Sequence, residues 1–407
     1  MNLHSIRKHF PALERELHGR NVIYLDGPAG TQVPKEVISS ISDYYRYSNA
    51  NTHGQFASSQ ETDRIMESAR NKVATFINAP DANCISFGQN MTTLNFSLSK
   101  ALVRDMNPGD EILITQLDHE ANRGPWLNLE ERGIIIKEVS LKPEGVLDYE
   151  DLERKLSERT KLVCIGYASN MIGTVNDVKY VRSLTRDRNI RMLIDAVHFA
   201  PHMAIDVQAL DCDFLLCSAY KFYGPHVGIL YCKPGLLNTL QTDRLRTQSA
   251  DAPYRIETGT LNHAAIAGVE AAIKFISRLG EGKTLRDKIT SAMQTIHRHE
   301  MDLAAILYDG LQQIKGCTIY GPGMESGLRT PTLGFSIKGI TPEKVCYELA
   351  KQAIYAWDGH FYAIRAAEVL DLMKTGGVTR MGIVAYNTKE EINRTVKVME
   401  KIASDSR

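Results

Sequence analysis

Short apolar runs alternate with polar or helical stretches along most of this 407-residue chain. CISFG, DEILIT, IIIKEVSL and KLVCIGYAS read as strands, each followed by a polar or helical segment. The stretch from Arg191 to Cys232 adds MLIDAV, DFLLCS and GILYC, joined by polar or Gly/Pro-containing turns. Such alternation predicts a mostly parallel sheet covered on both faces. Ahead of it, residues 1–20 predict an amphipathic helix with Ile6, Phe10 and Leu13 on one face. NVIYLDGPAGTQVP then reads as a short strand and a Gly/Pro turn. Residues 48–59, SNANTHGQFASS, carry neither period, and a loop of that kind is more often functional than accidental.

Helical periodicity resumes from Glu61 to Ile77 and again from about Leu261 to His299, a stretch long enough to link two domains. Residues 300–407 read as helix, CTIYG, TLGFSIKG, a helix from Pro342, IYAWDG, TRMGIVAY and a closing helix, which predicts a small α+β unit. The length suits this division, with residues 21–275 as the large α/β domain and 1–20 with 276–407 as the small one.

Composition narrows the function. Lysine plus arginine equals aspartate plus glutamate, 48 each, so no net charge draws the chain to nucleic acid or a membrane surface. No run reaches signal-peptide or transmembrane length. The seven cysteines are scattered and contain no Cys-x-x-Cys pair. That argues for reduced thiols in a cytoplasmic protein and against a zinc site or disulfide framework.

Two charges stand where buried strands should end, Asp195 after MLI and Lys221 after DFLLCSAY. A buried charge is costly unless something pairs with it. An aspartate closing a parallel strand is common in any open α/β sheet, and a loop lysine is usually solvated. One chemistry uses both: a lysine held as a Schiff base with pyridoxal 5′-phosphate, and an acid paired with the pyridinium nitrogen.

The surrounding residues carry a resemblance. SAYKFYGPHVGILY is similar to the lysine segment of the class V aminotransferase-like enzymes that use pyridoxal phosphate, the cysteine desulfurases and selenocysteine lyases in particular. DAVHFAPHMAIDVQ resembles their Asp-x-x-Gln-x-x-Pro-His strand end. YLDGPAGTQVP, LDHEANRGPW, SNMIGTVND, RIETGTLN and TRMGIVAYNTKEEI follow in family order across about the whole chain. The resemblance implies the aspartate-aminotransferase-like type I fold, a large seven-stranded sheet domain with a small α+β domain.

It also assigns a site. Lys221 would bind the cofactor, Asp195 would pair with its ring nitrogen, and His119 would stack on the ring and move protons. The turn Gln89-Asn90-Met91 falls where the family keeps a phosphate-binding Gly-Thr-Thr, so helix N-terminal N–H groups, with Asn90, would hold the phosphate beside Ser218. Asn170 and His198 would contact the phenolic oxygen; His198 replaces the glutamine of many relatives and adds a group that can titrate near neutrality. Tyr220 stands where desulfurases usually carry histidine. Thr260 would reach the phosphate of a partner subunit, which implies a homodimer with shared active sites. On the substrate side, Ala29 and Gly30 would offer backbone N–H groups, and Arg380 would grip the α-carboxylate of a free amino acid. Without the resemblance, His119 is an ordinary loop histidine, Asn170 a turn residue and Arg380 an edge-strand cation.

One departure matters most. WDGHFYAIRAAEVL lies where desulfurases carry Gly-His-x-Cys, whose cysteine takes sulfur as a persulfide. Gly359 and His360 persist, Tyr362 occupies the cysteine position, and no cysteine lies within ten residues of it. Tyr362 could simply pack in its loop, or with Asp358 and His360 read a different side chain. The expected function is therefore elimination from a free amino acid, as in a carbon–sulfur or other β/γ C–X lyase, without a persulfide. Transamination, racemisation and a catalytically silent binding fold are the alternatives.

Overall fold

The computed structural model describes residues 3–327 and 329–405. Seven strands form the main sheet: β1 (Ile85–Gly88), β2 (Glu111–Thr115), β3 (Ile135–Val139), β4 (Thr160–Gly166), β5 (Arg191–Asp195), β6 (Phe214–Ser218) and β7 (Gly228–Cys232). Their spatial order is β1-β7-β6-β5-β4-β2-β3. Only β7 runs against its neighbours. The central strands are apolar almost throughout because helices cover both faces; β2, β6 and β7 are buried at every position. The expected large, mostly parallel seven-stranded sheet is therefore what the chain builds.

This topology puts the carboxyl ends of β1, β2, β4, β5 and β6 along one edge, where ligands of open α/β sheets gather. A second, antiparallel sheet of β8 (Cys317–Tyr320), β9 (Thr332–Ile337), β10 (Trp357–Gly359) and β11 (Val378–Gly382) has the order β8-β9-β11-β10. Leu333, Phe335 and Met381 of this sheet share a core with Leu303, Leu307 and Met399 of two long helices, Leu285–Gln313 and Lys389–Asp405.

Three expectations need correction. Residues 1–20 are not one helix, though Met1 and Asn2 lie outside the described residues. A single turn, Leu3–Ile6, gives way to short 3-10 turns at Arg7–His9 and Pro11–Glu14 and a small hairpin. Pro11 has no N–H and clashes with a continuing helix, yet Ile6, Phe10 and Leu13 still bury their side chains. The helix expected from Glu61 begins earlier, at Ala57. The helical stretch from Leu261 to His299 is two helices, His263–Ser277 and Leu285–Gln313. The break falls at Gly280, where an added Cβ would lie 2.0 Å from the Lys288 carbonyl oxygen. Thr284 and Asp287 then start the second helix with a capping box.

Candidate active site

A cavity opens at the carboxyl edge of the main sheet. Asn90, Met91, His119, Asn170, Asp195, His198, Ser218, Tyr220 and Lys221 all border it. Residues far apart in the sequence converge because they stand at or just after the carboxyl ends of β1, β2, β4, β5 and β6.

Burial sets the electrostatics. Asp195 closes β5 and accepts the Val197 N–H at 2.9 Å. Burial raises its carboxyl to about 6, against that hydrogen bond and the nearby Lys221 charge. Lys221 follows β6; burial, helped by the Arg380 charge and opposed by Asp195, brings its amine down to about 7. The amine donates to the Ala29 carbonyl at 3.2 Å and to the Pro28 carbonyl. Burial, with Lys221 and Arg380, also lowers the His119 imidazole to about 4. An amine that is half neutral near pH 7 is a competent nucleophile toward an aldehyde.

At the end of β1, the helix Met91–Leu102 starts at the cavity rim. Asn90 borders the cavity and caps this helix: its side chain accepts the Thr93 N–H at 2.9 Å in a capping box. The Met91 N–H is given to Ser218 Oγ at 3.0 Å, which leaves the serine hydroxyl free to donate. Thr92, unmentioned by the motif comparison, borders the cavity beside them.

Three other segments form a wall outside the lining and bond to it at Lys221 and Asn170. Arg380, on β11, is buried, donates to the Asn170 carbonyl at 2.9 Å and lies 3.8 Å above the Phe361 ring. Burial pulls its guanidinium down to about 9, with Asp26 opposing. The Ala29 and Gly30 N–H groups are spent inside their own turn, on the Asp26 and Gly27 carbonyls at 2.8 and 3.0 Å. This corrects the expectation that they face a substrate; the turn offers carbonyls to Lys221 instead. Asp26 itself is a partly buried carboxyl raised to about 6 by desolvation, and its inaccessible Oδ1 has no hydrogen-bond partner.

The loop after β10 carries left-handed backbone at Phe361 and Tyr362, with φ of 52° and 59°. For bulky residues that conformation costs about 1–3 kcal/mol each and needs support. Support is present: Asn170 Nδ2 donates to the Phe361 carbonyl at 2.8 Å, the Glu120 N–H to the Tyr362 carbonyl at 2.7 Å, and the Tyr362 N–H to His360 Nδ1 at 3.1 Å. The Tyr362 ring ends 5.4 Å from that of His119 and is 66% exposed. Thr260 is not at this cavity; it borders a neighbouring groove with Gln89, Thr93 and His226.

The motifs missed Asp118. It borders the cavity with both oxygens engaged, by the Gly166 N–H at 2.7 Å and Asn122 Nδ2 at 3.0 Å. Burial, the larger cause, and the Asp195 charge raise it to about 7. Gly166 is required there, since a Cβ would sit 2.6 Å from Asp118 Oδ1. The available signal was its place directly before His119 in the turn that follows β2.

Several buried polar atoms around the cavity lack partners: Asn170 Oδ1, His198 Nδ1 and Arg380 Nε. Buried polar groups are nearly always hydrogen-bonded, so the set fits a polar occupant.

The sequence matches the aminotransferase class-V family over residues 23–395. The chain belongs to that family. It is 34% identical to a probable cysteine desulfurase of Halalkalibacterium halodurans and 33% identical to a cysteine desulfurase of Serratia proteamaculans, covering 98% of both chains in each case. Among solved structures, an apo cysteine desulfurase from Thermococcus onnurineus NA1 superposes with a TM-score of 0.90 at 26% identity, over 99% of this chain and 98% of that one. A cysteine desulfurase from Escherichia coli gives 0.85 at 25% identity, over 100% and 99%. This class V chain is thus a cysteine desulfurase-like enzyme dependent on pyridoxal phosphate. No helix among the described residues is long and apolar enough to cross a membrane.

Proposed function

We propose that this enzyme eliminates a β or γ substituent from a free amino acid, with carbon–sulfur cleavage as the leading case, and forms no catalytic persulfide. Pyridoxal phosphate, when bound, supplies the electron sink for a carbanion at the substrate Cα. Lys221 would hold the cofactor and then take and return the proton at Cα. Asp195 would pair with the ring nitrogen and keep it protonated. His119 would stack on the ring. The Ser218 hydroxyl, with Thr92 at the start of Met91–Leu102, would receive the phosphate. Asn170 and His198 would contact the phenolic oxygen. Arg380 grips the α-carboxylate, and Tyr362 with His360 borders the substrate side chain. Thr260 belongs to a second site across a homodimer interface.

The observation that carries the persulfide-free reading is the state of the thiols. All seven cysteines are free, and burial first of all pushes each thiol up, to about 11 for Cys84 and about 12 for Cys317 and Cys346. A thiolate is the species that attacks substrate sulfur. At the loop position where the family keeps its cysteine, this chain has Tyr362, and a phenol is a harder nucleophile. Sulfur would then leave as sulfide or as a thiol product.

The test is a panel of free amino acids screened for pyruvate, ammonia and sulfide, with persulfide labelling of the seven cysteines during turnover of cysteine. Sulfide release without labelling supports the reading. Stoichiometric, turnover-dependent labelling of one cysteine overturns it. Release of neither sulfide nor ammonia, with an oxo acid or the opposite enantiomer formed, replaces it with transamination or racemisation.

A further inference from the structure

His198 is buried, borders the cavity, and has one ring nitrogen engaged and one not. Nε2 lies 3.0 Å from Thr332 Oγ1 and 3.3 Å from Thr330 Oγ1, both on fully buried threonines. Nδ1 has no partner in the protein. The hydroxyl hydrogens decide which nitrogen carries the proton. The Thr330 hydroxyl hydrogen is committed to the Gly173 carbonyl at 3.2 Å, so Thr330 supplies no hydrogen to Nε2, and its 3.3 Å approach to that nitrogen is a contact and not a hydrogen bond once Nε2 accepts from Thr332. Among the described residues, the Thr332 hydroxyl meets no acceptor except Nε2. A buried hydroxyl without an acceptor is unfavourable, so Thr332 donates and Nε2 receives.

We propose that Thr332 is a positioning residue: its hydroxyl fixes His198 in the tautomer that carries hydrogen on Nδ1, the nitrogen left for the group filling the cavity. This rests on the reading of His198 as a contact of the cofactor's phenolic oxygen. An anionic oxygen is held by a donor and repelled by a lone pair, so the tautomer decides whether His198 helps or hinders binding. The setting also keeps the ring uncharged. Burial, with His202, Lys221 and Arg380 around it, lowers the imidazole well below its ordinary range. His198 therefore acts as a fixed neutral donor, as a glutamine amide would, despite being titratable in principle. Thr332 lies on β9, which pairs with β11 and so with the strand of Arg380. The second sheet thereby contributes to the cofactor side as well as to the carboxylate side.

The experiment measures the pyridoxal phosphate dissociation constant and the visible absorbance maximum for wild type, Thr332→Val, Thr332→Ser and His198→Ala. A hydrogen bond to a charged oxygen is worth enough that losing it weakens binding roughly tenfold. Thr332→Val is expected to show that loss and a shifted absorbance maximum, and Thr332→Ser to restore both. Nitrogen-15 shifts of His198 in the cofactor-free wild type give a readout independent of the variants' folding, and are expected to show a protonated Nδ1. A protonated Nε2 overturns the inference. So does a Thr332→Val enzyme matching wild type while His198→Ala binds weakly, which leaves the role of His198 intact. If His198→Ala binds the cofactor normally, the contact itself is wrong and the inference falls with it.

Discussion

Asp195 and Lys221 stand at the ends of strands that are buried almost throughout, whereas Phe361 and Tyr362 stand on a left-handed loop with one ring 66% exposed. The first region lines the cavity, the second packs against its lining at Asn170 and His119, and the two are organised differently. On the floor, desolvation does the tuning. The Lys221 amine falls to about 7, and the Asp195 and Asp118 carboxyls rise to about 6 and 7, so all three sit near the pH at which protons must move. On the wall, backbone hydrogen bonds fix where side chains stand, and Tyr362 keeps contact with solvent. A floor of this kind serves a cofactor common to the family. A wall of this kind can change with the substrate while the floor stays as it is.

If that division holds, floor substitutions should cost far more than wall substitutions. Lys221→Ala is expected to lower turnover by at least about 10³-fold, since it removes both the cofactor's covalent partner and the acid/base group. Its cooperative thermal unfolding should persist. Turnover within tenfold of wild type would remove Lys221 from the chemistry. Asp195→Asn should still bind the cofactor and lose roughly 10²-fold in the rate of Cα proton exchange, the scale of one preorganised electrostatic contact in a dry site. Exchange of Cα deuterium, followed separately from product formation, is the measurement; an unchanged rate would mean another group pairs with the ring nitrogen.

The floor was also the more legible region. Each floor residue ends an apolar run of strand length, so a charge or small polar residue at that point announces itself, and the family motifs span the same turns. Asp118 was less legible because it lies three residues beyond the last residue of β2, whereas Asp195 is itself the last residue of β5. The wall was harder to read because its contacts are made by main chain. That Ala29 and Gly30 spend their N–H groups within their own turn follows from the turn's closure, which residue types do not reveal. Asn90 illustrates the same limit. An asparagine at a helix start can cap the helix or hold a ligand, and only the bond to the Thr93 N–H shows that it caps. The role of Thr332 depends on a partner 134 positions away, and no spacing rule reaches that far.

Wall substitutions sharpen the contrast. Arg380→Ala is expected to raise KM for amino acids by about thirtyfold or more, from a lost charge-assisted contact of about 2 kcal/mol or above. Decarboxylated amines serving the wild type as well as amino acids would end the carboxylate-clamp role. Tyr362→Phe should alter kcat/KM only a few-fold and shift the ranking of substrates, because an exposed phenol adds contact but no ionised nucleophile. A loss as large as that of Asp195→Asn would place Tyr362 with the floor.

The smallest effect expected is a shift in the pH at which the cofactor-free protein captures pyridoxal phosphate. Covalent capture needs an unprotonated amine, and a lysine with an ordinary pKa near 10.4 would be almost wholly protonated at neutrality. With its amine lowered to about 7, Lys221 is mostly charged at pH 6 and mostly neutral at pH 8. The capture rate should therefore rise through about pH 7 and level off above it, where an ordinary lysine would leave it climbing. Two charges modify that midpoint with opposite signs. Arg380 helps to expel the proton, so Arg380→Ala lets the amine keep it longer and moves the midpoint up. Asp195 favours the charged amine, so Asp195→Asn moves the midpoint down. Each shift should be about one pH unit or less, because burial is the larger cause and remains in both variants. Stopped-flow absorbance at a series of pH values reads all three curves. Midpoints moving in the same direction would show that the wall and floor charges do not act on Lys221 as opposing partners, and midpoints that do not move would show that burial alone sets its amine.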